Sequence, residues 1–366
     1  MLNYEFPPIG GGAANANFQI LKKLSKKNIK IDVVTSSPNK KFLKEKFSKN
    51  ITIYRVNVYK KNVHYWTMKE ILTYTRKTST LVNKLVNQNT YDLCHSFFTW
   101  PTGLIAYVFR KKIPYIVSLR GSDVPGFNPR LDLLYRPLQF LSRLIWSNAE
   151  KVVANSHGLK LLAEKTWNGK IDVIYNGIDT EKFNPRKSNH KNLVILTVAR
   201  LIPRKGLDYL IKSIPNIVKK NKNIELRIIG EGSEKKKLVE LAKELGIKKY
   251  VKFVGYVPHK KLPKHYRNSD VFILPSLYEG MSNTVLEALA SGLPIITTNT
   301  GGTKELIDKN GIIIKKSSII EIENAILSLT DKKRLKMGEI SRKTALKFTW
   351  KEVADRYFKI YKELIK

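Results

Sequence analysis

Short runs rich in β-branched residues alternate with helix-length segments along almost the whole chain, and this alternation limits the fold more than any other feature. Strands separated by helices must cross over, which dictates parallel sheets built from βα units. The first series of strand candidates lies at 31–36, 51–56, 92–97, 115–120, 152–155 and 173–175. The second lies at 193–199, 224–229, 251–254, 271–274, 295–298 and 312–314. Amphipathic helical patterns, such as 207–220 and 234–245, fill the gaps.

At 366 residues the chain is long for one core and about right for two. The two series meet at 176–192, a polar stretch holding Asn184, Pro185, Ser188 and Asn189, which reads as the hinge. The expected architecture is therefore α/β: two Rossmann-like β/α/β domains, 1–180 and 193–345, joined by a linker at 181–192 and facing a cleft. In the last segment, 346–366, Trp350, Val353, Tyr357, Ile360, Tyr361 and Leu364 share one helical face. That helix is expected to cross back to the first domain. The first domain opens short, because only Met1 to Tyr4 precede the loop Phe6-Pro7-Pro8-Ile9-Gly10-Gly11-Gly12. Either its first strand is stunted or the start lies a few codons late.

No run of about 18 apolar residues occurs, so no spanning helix is expected. The N-terminus lacks the pattern of a secretion signal, and a single cysteine, Cys94, fits a reducing compartment. A cytoplasmic protein is expected. The net charge of +37 suggests nucleic acid, an anionic membrane or phosphorylated ligands. The excess is spread, +17 over 1–185 and +20 over 186–366, and 52 of the 67 basic residues are Lys. Base reading favours Arg, and single-strand binding favours aromatics among clustered Arg, so no nucleic-acid partner is expected. A lysine-rich solvated surface and attraction to an anionic membrane surface both remain open. Two amphipathic stretches, 40–49 with Phe42 and Phe47 and 130–146 with three Arg, would suit peripheral attachment to the inner membrane face. Packing of 130–146 onto a sheet is the simpler alternative.

The segment after Asp270 carries the chemistry. An apolar run, Val271 to Leu274, ends at Pro275; a loop holds Glu279-Gly280-Met281-Ser282-Asn283; a short helix from about Thr284 to Ser291 stops at Gly292. Ligands of open α/β sheets sit beyond the carboxyl ends of strands, and helix N-termini attract phosphate. Glu279 before the helix and Glu287 in its first turn can thus reach different parts of one extended ligand. Equally, Thr284 and Glu287 have capping-box spacing, and Glu279 can be an ordinary solvated acid.

This segment resembles the Glu-x7-Glu motif of family 4 glycosyltransferases, which have the two-Rossmann GT-B architecture. The likeness spans nearly the whole chain. Val198-Ala199-Arg200 through Lys205-Gly206 is similar to the family's strand-end Arg and following Lys-Gly, and Gly230-Glu231-Gly232 to its next glycine turn. Val173 to Asp179 with Phe183-Asn184-Pro185 resembles the interdomain linker, Phe6 to Gly12 the N-terminal glycine loop, and Gly301-Gly302-Thr303-Lys304-Glu305 the Gly-Gly-x-x-Glu.

The resemblance implies a retaining transferase that moves a sugar from a nucleotide-sugar donor to a glycan, lipid-linked or other cell-envelope acceptor. Departure of the nucleotide leaves negative charge on a diphosphate. The chain has no Asp-x-Asp, so fixed cations and backbone amides are the remaining means, with neither metal nor cofactor. Arg200 and Lys205 would bind the diphosphate, Glu279 the sugar hydroxyls, and Glu287 the ribose. Gly280, Met281, Ser282, Asn283, Thr284 and Glu231 would complete donor binding, and Gly11 and Gly12 would let backbone approach the phosphates. On the acceptor side, relatives often show His-x-His where this chain has His95-Ser96-Phe97, and His-Gly-x-Asp where it has Arg120-Gly121-Ser122-Asp123. His95 is either a core histidine or a site residue, and Asp123 a plausible acceptor-side group. A sugar-nucleotide epimerase of the same fold is the nearest rival, and a basic nucleic-acid-binding module a more distant one.

Overall fold

The computed structural model describes residues 1–39, 41–60, 66–127, 132–185 and 192–365. They divide into two compact units, Met1–Asn176 with Trp350–Lys366, and Gly177–Thr349.

The first unit contains α1 (Gly12–Leu24), β1 (Ile31–Ser37), β2 (Leu43–Ser48), β3 (Ile51–Asn57), α2 (Met68–Gln88), β4 (Cys94–Phe97), α3 (Leu104–Val108), β5 (Tyr115–Leu119), α4 (Asp132–Ser147), β6 (Lys151–Ala154), α5 (His157–Glu164) and β7 (Ile171–Val173). Its strands pair as β1-β3-β2 and β4-β5-β6-β7. Leu2 bridges the two groups, pairing in parallel with Val34 and with Ser96. Its N–H donates to the His95 carbonyl at 2.8 Å, and Phe97 N–H returns to the Leu2 carbonyl at 2.9 Å. The expected first strand is thus reduced to the few residues around Leu2, at the centre of the sheet. β5 is buried along its length because a parallel sheet is covered on both faces. β2 is different: it pairs antiparallel with β3 at the edge. The 40–49 stretch read as membrane-seeking is largely this strand, and its Phe47 ring packs against Phe6 and Phe18. Lys40 lies outside the described residues.

The second unit contains β8 (Leu193–Val198), α6 (Leu207–Lys220), β9 (Ile224–Ile229), α7 (Lys235–Glu244), β10 (Val251–Gly255), α8 (Leu262–Arg267), β11 (Val271–Leu274), α9 (Asn283–Ala290), β12 (Ile295–Thr298), α10 (Thr303–Leu306), β13 (Gly311–Ile314), α11 (Ile319–Leu327) and α12 (Asp331–Ala345). Its six strands run in the order β10-β9-β8-β11-β12-β13, all parallel. Counted within the unit this is 3-2-1-4-5-6, the doubly wound order of a Rossmann sheet. Residues 177–183, part of the expected first domain and linker, pack on this second unit. Ile178 N–H donates to the Phe348 carbonyl at 2.8 Å, and the Arg342 guanidinium reaches the Thr180, Phe183 and Ala290 carbonyls at 2.8–3.0 Å.

The last helix, α13 (Trp350–Leu364), belongs to the first unit. Trp350, Val353, Tyr357 and Ile360 join Ala16, Ile20 and Leu24 of α1 in one buried cluster, and Lys27 pairs with Asp355 at 2.6 Å. In α4, Ile145 and Trp146 are buried, as packing onto the sheet requires, while Phe140 is exposed. Arg130 and Leu131 lie outside the described residues. Among the described residues no helix is long and apolar enough to cross a membrane.

Candidate active site

The strand order of the second unit reverses between β8 and β11, so its ligand crevice lies beyond their carboxyl ends. After β8 the chain presents Arg200, exposed, then a single 3-10 turn over Pro203–Lys205. Gly206, at φ +62°, starts α6; a Cβ there would stand 2.3 Å from the Pro275 carbonyl oxygen. The two loops therefore touch backbone to backbone, and Leu277 N–H donates to the Arg204 carbonyl at 2.8 Å. On the other flank Gly301, at φ +41°, leaves no room for a Cβ, which would meet the Gly280 and Glu279 carbonyls at 1.9 and 2.2 Å. Gly302 N–H donates to the Gly280 carbonyl at 2.6 Å. The Glu279 loop is thus held from both sides by backbone.

This clamp brings Lys205 and Glu279 together. The Lys205 ammonium pairs with Glu279 Oε1, and the Ser276 hydroxyl donates to the same oxygen at 2.7 Å. Burial by itself raises the Glu279 carboxyl, but the Lys205 and Arg204 cations and the two hydrogen bonds outweigh it and hold the group below its ordinary value. Glu279 is therefore ionised. Burial lowers Lys205, with Glu279 opposing and Arg204 and Arg200 reinforcing the shift. Arg204 was not singled out from the sequence, although it adjoins Lys205; its charge acts on Glu279, and burial lowers its guanidinium, with Glu279 opposing and Arg200 reinforcing the shift.

Ser282, rather than Thr284, caps α9, its hydroxyl accepting from Val285 N–H at 3.4 Å. The helix therefore starts one residue earlier than expected and Glu287 falls in its second turn, which corrects the capping-box reading. The Glu287 carboxylate is 4% exposed and points elsewhere. Its Oε2 accepts from the Tyr266 hydroxyl at 2.8 Å, and its Oε1 lies 2.9 Å from His259 Nε2. His259 and Tyr266 lie 28 and 21 residues away in the chain, and no local pattern links them to Glu287. Gly280 and Met281 are buried beside the clamp, and Asn283 and Thr284 are half-buried in the first turn of α9. Glu231 uses its backbone to hold the β8 loop, Leu201 N–H donating to its carbonyl at 2.9 Å, and its carboxylate pairs with Lys235 at 2.7 Å.

In the first unit Gly11 caps α1 and Gly12 begins it. Both are exposed, and a Cβ on Gly11 would meet nothing within 4 Å. The Gly11 N–H donates to Glu5 Oε2 at 3.4 Å. His95 is 2% exposed with both ring nitrogens engaged, Nδ1 at 2.6 Å from the Tyr361 hydroxyl and Nε2 at 2.7 Å from Ser118 Oγ. Of its two readings, the core one matches this bonding. Asp123 ties the loops after β4 and β5: Oδ1 accepts from Arg120 and Gly121 N–H at 2.9 Å, and Oδ2 from Thr99 N–H at 2.8 Å and its hydroxyl at 3.2 Å. Burial raises its carboxyl, against the opposing pull of those bonds. Arg120 stacks over Phe97 at 4.5 Å and donates to Asn176 Oδ1 at 3.1 Å.

Two family models cover these units in succession: Glycosyltransferase Family 4 over residues 10–182 and Glycosyl transferases group 1 over residues 178–344. An uncharacterized glycosyltransferase of Methanocaldococcus jannaschii is 27% identical, the match covering 99% of this chain and 97% of the relative. Sucrose-phosphate synthase from Thermosynechococcus elongatus shares the fold at TM-score 0.83 and 19% identity, over 97% of this chain and 94% of that one. Anabaena HepE in complex with UDP does so at TM-score 0.75 and 17% identity, over 99% and 98%.

Proposed function

Because the chain belongs to the family 4, group 1 glycosyltransferases, we propose that it is a retaining hexosyltransferase using a nucleotide-sugar donor, without a metal ion. The observation that carries this reading is the gathering of Arg200, Arg204, Lys205 and Glu279 beyond β8 and β11. Two guanidinium groups and an ammonium supply the charge that a departing diphosphate requires. The Glu279 carboxylate stays ionised and accepts hydrogen bonds, as a binder of sugar hydroxyls must. Glu287 takes the ribose. Retention follows from attack on the face the nucleotide leaves, assisted by the leaving phosphate.

The acceptor is a glycan, a lipid-linked sugar or another cell-envelope component, held by the first unit. Asp123 shapes its loops, and peripheral binding to the cytoplasmic face of an anionic membrane would bring such an acceptor close. Incubation with UDP-, GDP- and ADP-sugars tests the reading, since one of the relatives by fold is seen with UDP. The expected result is transfer that survives EDTA and keeps the anomeric configuration. Conversion of the donor with no acceptor present would instead favour the epimerase.

A further inference from the structure

We infer that His259 is a positioning residue for Glu287, and that Lys182 selects the imidazole tautomer that holds it. The inference rests on the reading that Glu287 receives the donor's ribose hydroxyls. Lys182 Nζ lies 3.0 Å from His259 Nδ1. An ammonium has donors only, so Nδ1 must accept, and the ring proton sits on Nε2, directed at Glu287 Oε1 2.9 Å away. The other oxygen takes the Tyr266 hydroxyl at 2.8 Å. Phe183, fully buried, packs against both rings with centroids 5.4 and 5.6 Å away. Lys182 is itself anchored, its N–H donating to Asp179 Oδ1 at 3.0 Å and its carbonyl accepting from Arg267 at 3.1 Å.

These contacts fix the carboxylate with one hydrogen bond at each oxygen. A carboxylate has about four acceptor positions, so about two remain for a vicinal diol. Freed from His259, the group would retain the Tyr266 bond but lose its set orientation, and hydroxyl recognition would suffer more than phosphate binding.

Calorimetric titration of the full chain with UDP, GDP and ADP, and with their 2′- and 3′-deoxy counterparts, reads this directly. The wild type should prefer a ribonucleotide by about tenfold, the scale of a hydrogen bond to a charged group. In His259→Phe the preference should fall to about twofold with the deoxy affinity unchanged, while His259→Gln, which keeps a donor near the Nε2 position, should retain most of it. His259 is 39% exposed, so neither change opens the core. If His259→Phe melts early, Lys182→Met reads the same link, and its preference should also fall. Loss of preference in Glu287→Gln with full preference in both His259→Phe and Lys182→Met would overturn the positioning role alone. Full preference in Glu287→Gln would overturn the ribose reading, and the inference with it.

Discussion

Lys205 and Glu279, 74 positions apart in sequence, form a nearly buried ion pair that joins the loop after β8 to the loop after β11. The pair lies at the switch point of a doubly wound sheet, where ligands of this architecture are received. Two groups for which catalytic roles are proposed are also a structural clasp, and the two roles separate by experiment.

Lys205→Ala should cost stability as well as activity. It leaves the Glu279 charge buried and unpaired, a loss of about 3–5 kcal/mol for such a site. Side-chain exposures of 11% and 13%, with Arg204 nearby, favour the lower end. Lys205→Ala/Glu279→Ala should recover about 1–3 kcal/mol relative to the sum of the single changes. Denaturant titration of the four proteins checks this; additive losses would dissolve the clasp.

Two glycines should behave oppositely. Gly301→Ala forces a methyl into the Gly280 and Glu279 carbonyls at a positive φ, so it should displace the Glu279 loop and lower both melting temperature and donor affinity. Gly11→Ala meets nothing and should leave the melting temperature unchanged.

The pH dependence of stability should carry the mark of His95. Burial first, then Arg120 and the amino terminus, hold its imidazole well below the ordinary 6.5. The unfolded chain binds this proton near pH 6.5 and the folded one does not. Its contribution is therefore complete above pH 6.5 and is lost as pH falls from there towards the folded value, at up to about 1.4 kcal/mol per pH unit. His95→Gln should flatten that slope while lowering stability at neutral pH. Glu279 acts lower, its contribution complete above its ordinary 4.5 and lost beneath as pH falls through the folded value.

The terminal helix should be indispensable to the first unit. Tyr357→Ala removes a ring 1% exposed in the shared core with α1, and its hydroxyl's contact with Ser118 at 2.9 Å. A loss of about 3–5 kcal/mol is expected, read by hydrogen exchange as faster opening of α1 and β4.

Much of this was legible in the sequence because parallel strands buried on both faces must be continuous apolar runs. The candidates at 224–229, 271–274 and 295–298 coincide with β9, β11 and β12. β2 escaped notice because an edge strand needs no such run; Leu43–Ser48 alternates poorly and carries two lysines. The stunted first strand around Leu2 is too short to show a period, and only its place before the glycine loop pointed to it. Glu279 and Lys205 stood out through motifs at strand ends, and the structure brings the two side chains together. What sequence hid was partnership: the spacing to Thr284 left a cap open as the alternative for Glu287, whereas Ser282 takes that place and distant His259 and Tyr266 take the carboxylate. His95 on β4 and Asp123 beyond β5 stood at successive strand ends, and only tertiary contacts reveal how fully their polar atoms are engaged.

The central claim is that fixed cations beyond β8 stabilise a leaving diphosphate, and Arg200 tests it most directly because it is exposed. Sugar transfer should be measured for the wild type and Arg200→Ala with the nucleotide-sugar that the wild type uses. The account predicts a loss of about a hundredfold or more in kcat with an unchanged melting temperature. Full activity in Arg200→Ala, folded and saturated with donor, would contradict it.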